Sequence, residues 1–252
     1  MISNIMSKTI VVLPTYNEIE NLELMVDSLL SLDKLDLNVL VVDDNSPDGT
    51  GKLADALATK HQKRVYVLHR TKKGGLGPAY IAGFGKALSL GANYIIQMDT
   101  DFSHDPKYIP NMVQAAKDCD LVIASRYVKD GGVDVSWSFY RKALSWLANM
   151  VYTPMVLNFP VHDATSGYRL WKSQTLKQIN LDKITSSGYV FQIEMAYATY
   201  KKGLKIVEVP IYFPDRQRGT SKMGSHIVME AAVRVWELKF RYSRLGQTKY
   251  QR

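Results

Sequence analysis

Five short apolar runs, alternating with stretches of helical periodicity, set the tightest limit on how this chain can fold. Residues 9–13, 39–42, 65–68, 94–98 and 121–124 are continuous and rich in Val, Ile and Leu. Between them, residues 19–32 place Leu22, Met25, Val26, Leu29 and Leu30 at helical spacing. Residues 50–58, 79–90 and 106–116 also read as helices. Continuous apolar strands separated by amphipathic helices indicate an α/β chain whose parallel sheet is covered on both faces. A length of 252 residues, 46% of them hydrophobic, suits one domain with a real core.

In such sheets ligands bind outside the carboxyl ends of the strands. The polar residues gather there. The first run ends in Pro-Thr-Tyr-Asn-Glu (14–18) and the second in Asp-Asp-Asn-Ser-Pro-Asp-Gly-Thr (43–50). The fourth ends in Asp-Thr-Asp (99–101) and the fifth in Ser-Arg-Tyr (125–127). Asn-Ser-Pro-Asp-Gly is ordinary turn chemistry, and Asp48 or Thr50 can cap the next helix. That leaves the adjacent acids Asp43 and Asp44 unexplained. Asp99 and Asp101 pose the question more sharply, because carboxylates this close raise each other's pKa unless a positive charge sits between them. Hard Mg²⁺ or Mn²⁺ takes oxygen ligands and keeps positions open for phosphate oxygens. The pair therefore suggests a metal and diphosphate site, although an isolated Asp-x-Asp is also common in turns. Gly-Gly-Leu-Gly (74–77) before a helix resembles a phosphate cradle but lacks the Lys-Ser/Thr of a P-loop and the spacing of a dinucleotide fingerprint, and reads as a flexible turn that can lie near a ligand.

Charge is spread unevenly. Of the net +8, +7 lies from Arg216 onward, where nine basic residues meet two acids. This asymmetry points to a polyanionic partner, namely nucleic acid, a phosphate substrate or anionic lipid, or to a solvated basic tail. Residues 143–161 carry no charge, yet Asn149, Thr153, Pro154, Asn158 and Pro160 interrupt them. They read as a buried helix or one lying at a membrane surface, and no transmembrane domain is expected. Residues 227–240 form a basic amphipathic helix that can bind an anionic bilayer or pack on the domain. The single Cys119 excludes an internal disulfide and suggests a reducing compartment. Residues 1–8 hold no apolar run long enough for a secretory signal.

Taken together, the motifs resemble the inverting family 2 glycosyltransferases of GT-A fold, and within them the dolichyl- or polyprenyl-phosphate mannose synthases. The resemblance runs from about Lys8 to Lys239. Besides the strand-end motifs, it rests on Asp-Ala-Thr-Ser-Gly-Tyr-Arg (163–169), Gly-Tyr-Val-Phe-Gln-Ile-Glu (188–194) and Asp-Arg-x-x-Gly-x-Ser-Lys-Met (215–223). It implies a Rossmann-like, mostly parallel sheet in a single domain over residues 1–252. The nucleotide half would cover about 8–125, and the acceptor and membrane-facing half about 126–245. It implies a donor site in which Pro14, Tyr16 and Glu18 frame a guanine nucleotide while Val42 and Asp44 hold base and ribose. Asp99, Thr100 and Asp101 would meet sugar and diphosphate, with Mg²⁺ or Mn²⁺ on Asp99 and Asp101 and Ser103 nearby. Arg126 and Arg141 would grip the acceptor phosphate. Arg216 and Lys222 would contact the donor diphosphate from a closing loop.

The implied reaction moves mannose from GDP-mannose to dolichyl or polyprenyl phosphate with inversion, giving a β-mannosyl phosphoryl lipid for glycosylation. A phosphate monoester is already a nucleophile near neutral pH, so cations matter more than a general base. Arginine suits phosphate because its fork binds two oxygens. His104 and His162 then read as helper or structural residues. Thr100 stands where the family often has alanine, and Ser-Trp-Ser (136–138) stands where relatives often carry Asn-Trp-Pro or Gly-Trp. Many relatives carry C-terminal spans. This chain is expected to meet its lipid as a peripheral enzyme, or through a small membrane-anchoring subunit, on the cytoplasmic face of a membrane (the ER in a eukaryote). A glucosyl or other sugar transferase of the same fold is the alternative. A non-catalytic basic membrane- or nucleic-acid-binding module is a distant one, since no nucleic-acid motif is present and the acids would repel one.

Overall fold

Strands form on all five apolar runs. The computed structural model describes residues 7–32, 35–215 and 225–243. The first part alternates β1 (Thr9–Thr15), α1 (Leu22–Leu30), β2 (Leu37–Asp43), α2 (Thr50–Lys60), β3 (Val65–His69), α3 (Leu76–Ser89), β4 (Tyr94–Gln97), α4 (Ile109–Ala115) and β5 (Leu121–Ser125). A short pair, β6 (Gly132–Val133) with β9 (Tyr212–Phe213), lies apart from the main sheet. Residues 139–157 are helical throughout: α5 (Phe139–Trp146), a π-helical turn (Leu147–Tyr152) and α6 (Thr153–Leu157). Then come β7 (Arg169–Lys172), α7 (Ser173–Gln178), α8 (Gly188–Lys201), β8 (Ile206–Pro210) and α9 (Ser225–Ser243).

The sheet order is β3-β2-β1-β4-β7-β5-β8. Every pairing is parallel except those of β7, which runs antiparallel between β4 and β5. The expectation of a mostly parallel sheet holds, with β7 as the reversed strand. Alternate residues of each strand feed opposite cores. Ile10, Val12, Leu40 and Val42 face α3 and α8 on one side, whereas Val11, Leu13, Val39 and Val41 face α1 and α2 on the other. Gly83 lets α3 lie close to the sheet, since a Cβ there would sit 2.4 Å from Val12 Cγ1.

The uncharged stretch and the basic helix split their faces. Val156 and Leu157 of α6 are buried, while Trp146, Leu147, Val151 and Met155 are exposed. Val235, Leu238 and Tyr242 of α9 pack inward and leave Val233, Trp236 and Phe240 outside. The basic character of α9 is largely neutralised. Arg234 pairs with Glu230 and Glu237, and Arg241 reaches the fully buried Glu194 at 2.6 Å. Among the described residues, no helix is long and apolar enough to cross a membrane.

Candidate active site

The order of the sheet reverses at β1 and β4, so their carboxyl ends open a crevice where ligands bind in this architecture. A cavity of about 260 Å³ lies there, lined by Pro14, Thr15, Tyr16 and Glu18 from the first loop and Asp99, Thr100 and Asp101 from the fourth. Asp44, Lys73, Gly75, Leu76 and Ala79 complete it. The rim loops hold non-glycine residues in the left-handed region: Asn17 at φ 62°, Asn45 at φ 59° and Phe102 at φ 61°. Asparagine tolerates this conformation, but a bulky phenylalanine is strained by it, and such strain concentrates at functional loops.

Hydrogen bonds separate the structural acids from those that face the cavity. Asp43 is fully used in the loop: it accepts from Thr15 Oγ1 at 3.1 Å, from Ser46 Oγ at 2.6 Å and from the Ser46 N–H at 3.1 Å. Loop chemistry therefore accounts for Asp43 after all. Asp44 accepts from Arg70 and, at 2.9 Å, from the Gly74 N–H. This ties the glycine turn to the cavity rim. Lys73 Nζ lies 3.6 Å above the centre of the Tyr16 ring, a cation–π contact at the cavity mouth. Val42 does not line the cavity, because its side chain is buried against α3.

Asp101 Oδ1 accepts from the Ser103 hydroxyl at 2.6 Å and its N–H at 3.1 Å. Ser103 is buried and orients Asp101 through these bonds. Asp99 accepts from Tyr80 Oη at 3.0 Å, and its N–H donates to His104 Nδ1 at 2.8 Å. His104 stacks on Tyr168 with ring centres 4.9 Å apart, which gives it a structural place. Two carboxylates on one cavity wall form a hard-oxygen donor set that fits Mg²⁺ or Mn²⁺. The described residues offer no cluster of three or more His, Cys, Asp or Glu for a metal. A cation here would complete its shell with water and substrate phosphate oxygens, as Mg²⁺ sites commonly do.

Arg126 and Arg141 lie outside the cavity lining and meet around Trp137. Arg126 forms a fork with Asp163, through Nε at 2.8 Å and Nη2 at 2.6 Å, and Nη2 also donates to Thr165 at 2.9 Å. Burial opposes this charge, but Asp163 more than offsets it and holds the guanidinium above its usual range. Arg126 Nη1 makes no hydrogen bond among the described residues. Arg141 donates to Asp215 at 2.9 Å and stacks 3.6 Å above Trp137, whose buried indole N–H has no hydrogen-bond partner among the described residues. Arg169 is buried in the same motif as Asp163 and donates to the carbonyls of Ser166, Gln192 and Ala164. Burial pulls its guanidinium down to about 9, although Asp163 and Glu208 pull the other way. His162 Nδ1 lies 2.8 Å from Glu208. The expected diphosphate residues Arg216 and Lys222 lie outside the described residues.

A mostly parallel α/β sheet with an acid-lined cavity at its switch point is the architecture of enzymes that bind their ligands beyond the carboxyl ends of the strands. The chain belongs to glycosyl transferase family 2, whose family model matches residues 10–179, and it is a glycosyltransferase. It is 46% identical over 240 residues to an undecaprenyl-phosphate mannosyltransferase of Micrococcus luteus, covering 94% of this chain and 97% of the relative. It is 42% identical over 240 residues to the polyprenol monophosphomannose synthase of Mycolicibacterium smegmatis, covering 94% and 89%. Solved structures of similar fold include glucosyl-3-phosphoglycerate synthase of Mycobacterium tuberculosis with Mn²⁺, UDP and glucosyl-3-phosphoglycerate. That match has a TM-score of 0.66 at 17% identity and covers 96% of this chain and 82% of that one. A mannosyltransferase of Pyrobaculum calidifontis with GDP-mannose and Mn²⁺ matches with a TM-score of 0.62 at 17% identity, covering 98% and 67%. The fold is GT-A. Family membership sets aside the non-catalytic basic module.

Proposed function

We propose that this protein transfers mannose from GDP-mannose to a polyprenyl phosphate, with inversion, to give a β-mannosyl phosphoryl lipid. The observation that carries this reading is the identity, over nearly the full length, with a relative named for mannosyl transfer to undecaprenyl phosphate. Tyr16, Glu18 and Asp44 frame the nucleotide, and Asp99, Thr100 and Asp101 face sugar and diphosphate. Bound at Asp99 and Asp101, Mg²⁺ or Mn²⁺ supplies the positive charge that stabilises the departing GDP. Arg216 and Lys222 are assigned to the same diphosphate.

The acceptor needs no general base, because a phosphate monoester with a second pKa of about 6 is mostly dianionic at neutral pH. Arg126 and Arg141 orient it. The Asp163 fork fixes the Arg126 plane and leaves the Nη1 edge for phosphate. In-line attack by a phosphate oxygen on the anomeric carbon inverts the sugar as the bond to GDP breaks. The lipid tail leaves along α5, which starts at the Trp137–Arg141 cluster and buries none of its residues. Phe139, at 87% exposure, and Tyr140, at 70%, continue through Trp146 and Met155 to Trp236 and Phe240 of α9. This face suits an interfacial position on a membrane.

The test is transfer of labelled mannose from GDP-mannose to polyprenyl phosphate with Mn²⁺, beside Asp101→Ala and a UDP-glucose arm. The expected result is a β-linked product and at least about a 100-fold loss in the variant. An α-linked product, or turnover only with UDP-glucose, overturns the reading.

A further inference from the structure

We propose that Tyr80 is the positioning residue of Asp99: its phenol fixes which carboxylate oxygen faces the cavity and so sets the affinity for the divalent cation. The proposal rests on reading Asp99 as a metal ligand. Tyr80 lies on α3, directly after Ala79 of the cavity wall, and is fully buried. A buried hydroxyl costs free energy unless it is hydrogen-bonded. The partner of Tyr80 Oη is Asp99 Oδ1, at 3.0 Å. A carboxylate only accepts, so the phenol donates.

The phenol is itself held in place. Its ring stacks on Phe191 at 6.2 Å with planes 4° apart, and on Phe84 at 5.8 Å. On the other side the Asp99 N–H donates to His104 Nδ1. Asp99 is thus anchored through its backbone and through Oδ1, which leaves Oδ2 without a hydrogen bond among the described residues. Phe191 belongs to the 188–194 motif, and this stack links that motif to the cavity. Phenylalanine at position 80 would fill the same space, so packing alone does not call for a hydroxyl. Hydrogen-bond partners of metal ligands typically govern 10–100-fold of metal affinity.

The experiment is Mn²⁺ titration of the full-length protein with GDP, followed by electron paramagnetic resonance, for Tyr80→Phe, Asp99→Asn and the double variant. Tyr80→Phe is expected to weaken Mn²⁺ binding about tenfold. Its thermal midpoint and its metal-free GDP affinity should stay near those of the parent. In the Asp99→Asn background, Tyr80→Phe should add nothing. Unchanged Mn²⁺ affinity in Tyr80→Phe overturns the proposal, provided Asp99→Asn itself weakens binding. A full additional loss in the double variant also overturns it, because the phenol would then act other than through Asp99. If Asp99→Asn binds Mn²⁺ normally, the metal reading of Asp99 fails first and takes the proposal with it.

Discussion

Asp163 and Arg126 lie 37 residues apart in the chain and form one unit in the fold. Arg126 was legible as a cation at a strand end, but nothing local marks Asp163 as its partner. The carboxylate is fully buried, and the guanidinium nearly so. Removing one member of such a pair strands the other charge away from water. Asp163→Ala is therefore expected to lower unfolding free energy by about 3–5 kcal/mol, measured by urea denaturation. Asp99 and Asp101 were legible because two acids one residue apart are costly anywhere. Tyr80, Arg70 and Lys73 were not. Each gains its meaning from a partner that the chain brings in from elsewhere: Asp99, Asp44 and Tyr16. Asp43 shows the converse, since an acid that looked chemically interesting is consumed by its own loop.

The element scale carries the membrane question. Apolar periodicity located the 143–161 stretch and α9 but left each as either buried or interfacial. In the structure each buries some of its apolar side chains and exposes others. Tyr152 Oη donates to the Ala232 carbonyl at 2.8 Å and links the two. Within α9, Arg234 and Arg241 are paired inside the protein. On the proposed membrane reading, the exposed aromatic side chains supply apolar insertion. Burying a Phe-sized side chain contributes roughly 1.5–3 kcal/mol. Phe139→Ser and Trp236→Ser are each expected to weaken binding to polyprenyl-phosphate vesicles about tenfold or more, read by vesicle co-sedimentation. Unchanged sedimentation in both variants would remove this face from the membrane reading.

At the scale of the whole molecule, two cores sandwich one sheet, and the site lies where strand order reverses. The lone cysteine reports on the integrity of one core. Cys119 precedes β5, is 2% exposed, and has its thiol pushed by burial from 9.0 up to about 11. A shift of that size leaves about 100-fold less reactive thiolate at a given pH. Alkylation at pH 8 is expected to be slow in the native protein and fast after unfolding, measured by mass spectrometry with and without urea. Fast labelling of the native protein would mean that this side of the sheet opens readily.

The sequence by itself determined the five strands β1 to β5, the helices between them, the layered α/β class and the acids of the cavity. These depend on spacing within about a dozen residues, where side-chain periodicity and local like-charge repulsion act directly. Only the tertiary structure decided that β7 enters the sheet antiparallel between β4 and β5. It also decided which acids are structural and which line the cavity. Strand order and ion pairing depend on contacts between residues tens of positions apart, and no local pattern encodes them. For Asp99 the difference is concrete: the pair of acids is visible in five consecutive residues, but the phenol that orients one of them comes from α3.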